Sequence, residues 1–566
     1  MTQPLEAAPT TVSAVHPTLV ATNHALHCRG HAHQVIAGSM HYFRVHPAQW
    51  QDRMSRLADL GVNALHTPVA WNFHEAIERR PRFDDWRDIE RYLLIARDAG
   101  LDVIVQPGPY IDAGWDNGGL PAWLRAREGI RLSSVDLRYL SAVERWFDEL
   151  VPRLARLQSS GGGPLIAVQS ESTRHGPDVD PKYSTWLTAA LRDRGIVELI
   201  YDGDSADDPS RSDSFPYTEL RGVLAELGNE RDESRAQDAR RDVESILARD
   251  GSMIVFMAHG GTGHGLWQSP AHDDATPGAT DADSAPQVPI AQNGAPTPTY
   301  FALQEILWPG AGTGMPSFFP PPRAKLTRVL SVERGAGLLE AVQSPVEPPP
   351  ALRPPSFEQL GLGAGMVLYR AERALLRGVP LRVTGLHDRA FVFIDGRAAG
   401  VIDGPEGVLD LGDTTGEARL DLLVENCGRA SGGPLLGQHK GILGDVMLGD
   451  DVIEGWSAVP IALDRWDDAK LLALAAGAPE GTAGVAVTRL EVGHPADASL
   501  MLPGFGSGFV WINGFLLGRY RSREPELPLY VPAPLLRPGV NAVTILELEH
   551  CGTAIEWRSA GNLSVQ

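Results

Sequence analysis

Cysteine is scarce in this chain of 566 residues, which has only three, Cys28, Cys427 and Cys551, far apart in the sequence. Three cysteines cannot build a disulfide framework, and their spacing fits no metal-binding pattern. The sequence also has no Walker phosphate loop, no G-x-G-x-x-G in a strand–helix–strand unit and no H-E-x-x-H pair. We therefore expect free thiols in a reducing compartment, no metal ion and no cofactor.

Positive charge and long apolar runs are also in short supply. Lys and Arg number 50 against 71 Asp and Glu, which gives a net charge of −21 and argues against nucleic acid or an anionic membrane as a partner. No segment reaches roughly 18 consecutive apolar residues, so no membrane span is expected. The N-terminus has no basic stretch followed by an apolar run, so we predict no signal peptide and a cytoplasmic protein.

The first half of the chain alternates short apolar segments with amphipathic ones. Strands are predicted at residues 34–43, 63–71, 101–105, 164–171, 197–202 and 253–256. Helices are predicted at residues 47–60, 86–99, 137–157, 218–227, 234–248 and 300–307. This alternation indicates a parallel sheet covered by helices.

One stretch within this region, residues 101–124, reads LDVIVQPGPYIDAGWDNGGLPAWL. A β-branched run is stopped by Pro-Gly-Pro and followed by a Gly-rich loop with Tyr110, Asp112, Trp115 and Asp116. A buried strand that opens into a loop of aromatic and acidic residues is how a parallel β/α barrel builds a sugar site. An ordinary turn after a strand is the alternative.

The segment GPYIDAGWDNGGLPAWL resembles the GPYICAEWDFGGLPAWL segment of glycoside hydrolase family 35, the β-galactosidases. Five further segments resemble the same family in the same order: GSMHYFRVHPAQW from residue 38, GGPLIAVQSES from 162, FMAHGGTGHG from 256, LLVENCGRASGG from 422 and VWINGFLLGRY from 510. The resemblance runs from about residue 30 to the C-terminus. It implies a (β/α)8-type, TIM-like barrel followed by two β-sandwich domains of the jelly-roll, galactose-binding-like type.

The domain boundaries follow from composition and from this resemblance. We expect a loose N-terminal segment at 1–30, a barrel at 31–315, a Pro-rich linker at 316–358 and two β-sandwiches at 359–462 and 463–566. Asp395-Gly396 and Asn513-Gly514 are hairpin signals within the sandwiches, and residues 268–299 read as an extended loop. About 50 residues separate the strands at 197–202 and 253–256, with one further strand candidate at 215–220. The family expects two strands there, so we predict a shortened or irregular barrel.

The family places its acid/base glutamate after strand 4, in a QVENEYG-like motif. The matching stretch here starts at Gln169 and puts Thr173 at the acid/base position; a threonine hydroxyl has no accessible pKa for proton transfer. Glu171 lies two residues earlier, on the same face of the strand. It is either a substitute acid or a barrel carboxylate hydrogen-bonded to its neighbours.

The family nucleophile lies in a TEFW-like strand, and the one comparable stretch is Thr218-Glu219-Leu220. Glu219 is therefore the candidate nucleophile. The alternative is a helix start, with Thr218 as N-cap and Glu219 in the first turn, where its charge suits the helix dipole.

The sugar pocket differs from the family pattern at three positions. Pro68 replaces a Tyr, Gly114 a Glu and Phe256 a Tyr, and each lost hydrogen bond typically costs on the order of 1–3 kcal/mol. Asp112 is new relative to the family and is a candidate for rebuilding a polar site with His66, His74 or Asp116. The candidate substrate contacts are Tyr42, Asn72, Tyr110, Asp112, Trp115 and His259, with stacking on a sugar face as a role for Tyr42 and Trp115, or else core packing.

Three classes of function remain open from the sequence. The first is a β-galactosidase-like hydrolase acting on a β-galactoside-type carbohydrate, with Glu171 and Glu219 as the candidate catalytic residues, or with a reworked site that uses Glu171, Glu219 or Asp112. The second is a pseudoenzyme that binds such a carbohydrate without cleaving it. The third is a scaffold subunit whose missing barrel sector is closed by another chain, for example in a homo-oligomer.

Overall fold

A computed structural model of the chain describes residues 16–22, 25–127, 129–171, 181–202, 217–220, 227, 233–268, 288–308, 327–344, 346–522 and 528–559. In these residues the chain forms a barrel-like α/β unit followed by two β-sandwiches, as the sequence predicts. No helix in this part of the chain combines the length and apolarity needed to span a membrane.

Three short antiparallel strands precede the barrel: β1 (Leu19–Thr22), β2 (Ala25–Cys28) and β3 (His31–Ala32). Leu19 and Leu26 are buried in one cluster with inward-facing barrel residues such as Ile104. The Thr18 N–H donates to the buried Glu198 carboxylate at 2.7 Å. The prediction of a loose segment at 1–30 is therefore wrong for residues 19–22 and 25–30, because two leucines close one end of the barrel; residues 1–15, 23 and 24 lie outside the described part.

The barrel sheet has seven parallel strands in the described residues. They are β4 (Ile36–Ser39), β5 (Ala64–Pro68), β6 (Asp102–Gln106), β7 (Leu165–Gln169), β8 (Leu199–Tyr201), β9 (Tyr217–Glu219) and β10 (Ser252–Val255). Their spatial order is β8-β7-β6-β5-β4-β10-β9, so β8 and β9 are the two edges. We call the gap between these two edge strands the seam. The rings of Tyr201 and Tyr217 contact each other across it, with centroids 5.7 Å apart. The predicted TIM-like barrel is confirmed, and its described residues contain seven strands rather than eight; residues 203–216, between β8 and β9, lie outside the described part.

Helices cover the outside of this sheet. They are α1 (Trp50–Leu60), α2 (Trp71–His74), α3 (Ile89–Asp98), α4 (Leu137–Ala155), α5 (Pro181–Asp193), α6 (Glu233–Leu247) and α7 (Pro298–Leu307). Asp136 caps α4 by accepting from the Arg138 N–H, and Gly61 ends α1 in the left-handed region at φ 104°. Helix α5 was not predicted. The predicted helix at 218–227 is wrong at its start, where β9 lies, and residues 221–226 are outside the described part.

The predicted linker at 316–358 contains β11 (Thr327–Ser331), β12 (Glu333–Gly337) and the short helix α8 (Leu338–Val342). Both strands pair with the second sandwich, β11 with residues 554–558 and β12 with residues 484–487. The linker prediction is therefore wrong for residues 327–342. These residues supply an edge strand to each sheet of the second sandwich.

The first sandwich packs a five-stranded sheet on a four-stranded one. Its strands are β13 (Gly365–Leu375), β14 (Leu381–Thr384), β15 (Leu386–His387), β16 (Arg389–Ile394), β17 (Arg397–Asp403), β18 (Glu406–Leu409), β19 (Gly416–Asn426), β20 (Gly441–Ile442), β21 (Val446–Leu448), β22 (Asp451–Val452) and β23 (Ser457–Ile461). The sheet orders are β17-β16-β19-β13-β23 and β18-β14-β21-β22. The predicted hairpin turn connects β16 to β17 at Asp395 and Gly396, both with positive φ.

The second sandwich begins after helix α9 (Asp468–Ala475). Its further strands are β24 (Gly484–Val492), β25 (Ala498–Met501), β26 (Ser507–Ile512), β27 (Phe515–Arg521), β28 (Leu529–Val531), β29 (Gly539–Glu547) and β30 (Ala554–Ser559). The sheet orders are β12-β24-β29-β26-β27 and β11-β30-β25-β28. An apolar layer joins the two sandwiches, in which Leu368 and Phe391 of the first share one cluster with Phe509 and Trp511 of the second. Burial of this layer fixes one sandwich against the other.

Candidate active site

A chain of hydrogen-bonding side chains crosses the barrel interior, with Ser39 and Gln169 at the carboxyl ends of β4 and β7 and His66 in the middle of β5. Ser39 Oγ lies 3.2 Å from His66 Nδ1, and His66 Nε2 lies 2.7 Å from Gln169 Oε1. Ser39 Oγ also lies 3.4 Å from His41 Nε2. With Gln169 Oε1 as acceptor, His66 Nε2 is the donor of that bond. The sequence did not single out Ser39 and Gln169. Because side chains along a strand alternate between its two faces, both residues could have been assigned to the barrel interior from their positions in the predicted strands.

Glu171 follows β7 and is enclosed by protein, with 5% of its surface exposed. Its Oε1 accepts from the Tyr110 N–H at 2.7 Å and from the Tyr183 hydroxyl, on α5, at 3.0 Å. Burial raises the pKa of Glu171 to about 7, although both hydrogen bonds work in the other direction. This geometry is that of the second alternative, a carboxyl group bound to its neighbours. A role in proton transfer stays a prediction.

Glu219 is the last residue of β9, where it pairs with Ile254 of β10. The helix-start alternative for Thr218 and Glu219 is therefore wrong. Tyr217, two residues earlier and hence on the same face, belongs to the cluster inside the barrel. Glu219 is exposed. The pKa of Tyr201, at the end of β8, is raised chiefly by burial, then by Tyr217 and then by Glu219. Glu219 thus lies beside the seam, and its role as nucleophile stays a prediction.

Tyr42, Asn72 and Trp115 are buried, and protein groups contact all three. The Tyr42 hydroxyl lies 2.6 Å from His74 Nε2. Trp115 is fully buried between Phe43, at a ring distance of 4.3 Å, and Trp267, which stacks on it at 5.7 Å. The Trp115 indole N–H donates to Asn72 Oδ1 at 3.0 Å, and the Asn72 amide donates to the Asp116 carbonyl at 2.9 Å.

In this structure Tyr42 and Trp115 therefore pack in the core, which was the alternative to stacking on a sugar face. Neither ring offers a free face to a sugar here. Contact of Tyr42, Asn72 or Trp115 with a substrate stays a prediction.

Tyr110 is buried, and its ring lies against Gly118 in the same loop. Asp112 is half-buried on this loop. Of the partners that the sequence suggested for Asp112, His74 contacts Tyr42 and Asp116 Oδ1 accepts from the Arg429 N–H at 2.7 Å. These two groups thus have structural partners, while His66 belongs to the polar chain inside the barrel.

His259 follows β10 and is buried, and neither of its ring nitrogens has a hydrogen-bond partner among the described residues. Burial lowers its pKa well below the ordinary value, and the charge of Arg53 adds to this effect. The His259 ring is therefore neutral near pH 7. In the same part of the chain, no group of three or more His, Cys, Asp or Glu side chains could hold a metal ion.

Comparison with known proteins decides the family. The model of glycosyl hydrolases family 35 matches residues 25–214 and 207–308. Models of the first all-beta domain and of the galactose-binding domain of beta-galactosidase match residues 354–462 and 485–541. The chain belongs to glycosyl hydrolase family 35.

Relatives within family 35 align over most of their length. Beta-galactosidase from Bos taurus is 32% identical, with 92% of this chain and 89% of the bovine protein covered. Beta-galactosidase-1-like protein from Mus musculus is 32% identical over 91% of this chain and 87% of the mouse protein. An exo-beta-1,4-mannosidase from Opitutaceae bacterium strain TAV5 is 11% identical, with 53% and 62% of the two chains covered and a TM-score of 0.36, too low to add to the assignment.

By homology, this family 35 chain is a β-galactosidase-like glycoside hydrolase. Its barrel presents the two predicted carboxyl groups differently, since Glu171 is enclosed and hydrogen-bonded and Glu219 is exposed at the end of β9. Thr173, which the resemblance places at the acid/base position, lies outside the described residues. Ser39, His66 and Gln169 form a separate hydrogen-bonded chain in the barrel interior.

Proposed function

We propose that this protein binds a β-galactoside-type carbohydrate at the carboxyl-terminal end of its barrel without cleaving ordinary β-galactosides. A retaining glycosidase needs two carboxyl groups about 5–5.5 Å apart, one of which protonates the leaving-group oxygen. The resemblance puts Thr173 where that acid belongs. The observation that carries the proposal is the enclosure of Glu171, the remaining carboxyl group of this motif.

Glu171 has the pKa of a general acid but not the placement of one. A pKa of about 7 suits a group that must give up a proton near neutral pH. A general acid must also reach the substrate oxygen within hydrogen-bonding distance. Glu171 instead accepts from the Tyr110 N–H and the Tyr183 hydroxyl and is 5% exposed. Its carboxyl group therefore ties β7 to the loop after β6 and to helix α5.

Glu219 supports a second candidate function, hydrolysis with a reworked site. Glu219 is exposed at the end of β9. It lies on the same face of this strand as Tyr217, which is buried in the barrel interior. A nucleophile without an acid partner can displace a leaving group that departs as a stable anion, because such a group needs no proton. This candidate therefore cleaves dinitrophenyl β-galactosides and leaves lactose intact.

One set of measurements separates the two candidates. Calorimetric titration with methyl β-galactoside tests binding, and release of dinitrophenol from a dinitrophenyl β-galactoside tests residual chemistry. The first proposal expects binding with no dinitrophenol release above that of the Glu219→Gln variant. Release that Glu219→Gln abolishes supports the second candidate. Hydrolysis of lactose by the wild-type protein would contradict both, and absence of binding would remove the first.

A further inference from the structure

The loop that follows β6 contacts the first sandwich through two adjacent residues. Asp116 Oδ1 accepts from the Arg429 N–H at 2.7 Å, and Asn117 Oδ1 accepts from the Gly437 N–H at 2.9 Å. The Asn117 N–H in turn points to the Arg429 carbonyl at 3.4 Å. All three partner groups on the sandwich belong to its backbone. Residues 115–119 of the barrel are thus held by residues 429–437 of another domain.

Arg429 is itself fixed in place. It is 1% exposed, and its guanidinium pairs with Glu358 at 2.5 Å and donates to the carbonyls of Gly363 and Gln438. Burial disfavours the charge on Glu358, but the hydrogen bond from His439 and the charge of Arg429 outweigh it and lower the Glu358 pKa to about 2. The Glu358 carboxyl group is therefore ionised at neutral pH. A buried pair with satisfied hydrogen bonds holds its backbone in one position.

The other side of the same loop forms part of the candidate site. The Asp116 carbonyl accepts from Asn72, whose own carbonyl oxygen accepts from the Trp115 indole. The Gly118 carbonyl accepts from the Ile111 N–H at 2.8 Å. A β-carbon on Gly118 would lie 2.4 Å from the Tyr110 ring and 2.8 Å from the Ser431 carbonyl oxygen. The sandwich, the loop and the candidate substrate contacts are thus in direct contact, with no space for a side chain at Gly118.

We propose that Arg429 is a positioning residue for the barrel mouth, acting through its N–H on Asp116 to set the conformation of residues 110–119. Loops at the carboxyl ends of barrel strands move unless other groups restrain them. Here Glu171 and Asn72 hold the loop from the barrel side, and the first sandwich adds a second restraint through its contact with Asp116. The proposal rests on the proposed function only for the identity of the ligand at that mouth.

Substitution of Asp116 tests the proposal, because the Arg429 donor is a backbone group that no side-chain change removes. Asp116→Ala deletes the acceptor, and Asp116→Asn keeps an acceptor oxygen without the charge. Asn117→Gly is a milder variant that removes the Gly437 bond and tolerates the positive φ of 55° at this position. The matched control is Asp497→Ala, which removes a different contact between domains, to Gln49 and Arg53 on the barrel.

Two readouts are compared in the full chain. Asp116→Ala is expected to speed hydrogen exchange of the Tyr110 and Ile111 amides by about tenfold or more and to weaken binding of methyl β-galactoside by a similar factor. Asp116→Asn is expected to stay within about threefold of wild type, and Asp497→Ala to leave both amides protected. Equal protection of these amides in Asp116→Ala and wild type would overturn the proposal.

If Asp116→Ala does not fold, Asn117→Gly tests the neighbouring Gly437 bond of the same contact, and unchanged exchange of the Ile111 amide in this variant would overturn the role of the first sandwich in positioning the loop. If the wild-type protein does not bind methyl β-galactoside, the proposed function fails. The exchange comparison still decides whether Arg429 positions the loop, because it needs no ligand.

Discussion

A buried carboxyl group shows at the residue scale how environment decides chemistry. Glu171 is enclosed, and burial raises its pKa to about 7 from an ordinary value of 4.5. In the folded protein it therefore keeps its proton at pH values where the unfolded chain has lost it. The stabilisation from this group is complete below about pH 4.5 and is lost as the pH rises through 7.

We therefore expect Glu171→Gln to change how stability depends on pH. Between pH 5 and pH 8, Glu171 should cost the wild-type protein roughly 2–3 kcal/mol of unfolding free energy, which the uncharged Gln does not lose. Thermal unfolding of both proteins at the two pH values measures the difference. Glu305→Gln, at an exposed site, is the control. The same pH dependence in wild type and Glu171→Gln would show that Glu171 is ionised throughout.

At the element scale, the N-terminal strands β1–β3 differ most from expectation. The signal of this segment lies in two large buried side chains, Leu19 and Leu26, which close one end of a barrel formed by strands much later in the chain. Strand β11 is similar, since most of its residues are exposed and its partner β30 is more than 200 residues away. Pairing between such distant segments leaves little trace in local sequence.

The core strands and main helices could be predicted because their signal is local. Helix α4 carries apolar residues on one face, and β6 and β7 are continuous apolar runs. The resemblance supplied the candidate site, but it could not give the environment of Glu171. That environment depends on Tyr183, from a helix that was not predicted, and on the Tyr110 amide. Burial of Trp115 likewise depends on Trp267, which lies about 150 residues further along the chain.

Adjacent residues of β1 offer a matched test of the N-terminal strands. Leu19 is fully buried and Val20 is 41% exposed. Leu19→Ala should therefore lower the free energy of unfolding by about 2–5 kcal/mol, through lost burial and the cavity left behind. Val20→Ala should change it by less than about 1 kcal/mol. Chemical denaturation of both variants measures this, and equal effects would mean that the segment does not close the barrel.

At the scale of the whole molecule, a buried histidine lies at the contact between two domains. His264 lies between the barrel and the second sandwich, with ring distances of 5.6 Å to Trp86, 5.7 Å to Phe515 and 6.5 Å to Tyr530. Burial lowers the His264 pKa to about 4, with His46 adding to the effect and the Leu517 backbone opposing it. Inside the barrel unit, burial lowers the His74 pKa to about 3. Both rings are neutral near pH 7 in the folded protein.

These depressed pKa values predict a protein that loses stability in acid. The unfolded chain takes up a proton at each histidine near pH 6.5, whereas the folded protein does so only near pH 4 at His264. Stability from this group is therefore present above pH 6.5 and is lost as the pH falls toward 4, with about 2 kcal/mol gone at pH 5. This sign is opposite to that of Glu171, so a wild-type scan alone mixes the two. The cytoplasmic location expected from the sequence stays a prediction.

Substitution of His264 measures how much this residue contributes to the loss of stability in acid. His264→Phe keeps an aromatic ring among Trp86, Phe515 and Tyr530 and cannot be protonated. Calorimetric unfolding at pH 7 and pH 5 should show a smaller loss of stability in this variant than in the wild-type protein, by about 2 kcal/mol. His494→Phe, at an exposed position in the same sandwich, should behave as wild type. If His264→Phe loses as much stability as the wild-type protein, the junction between barrel and sandwich already accommodates a charged ring, and acid must act elsewhere in the molecule.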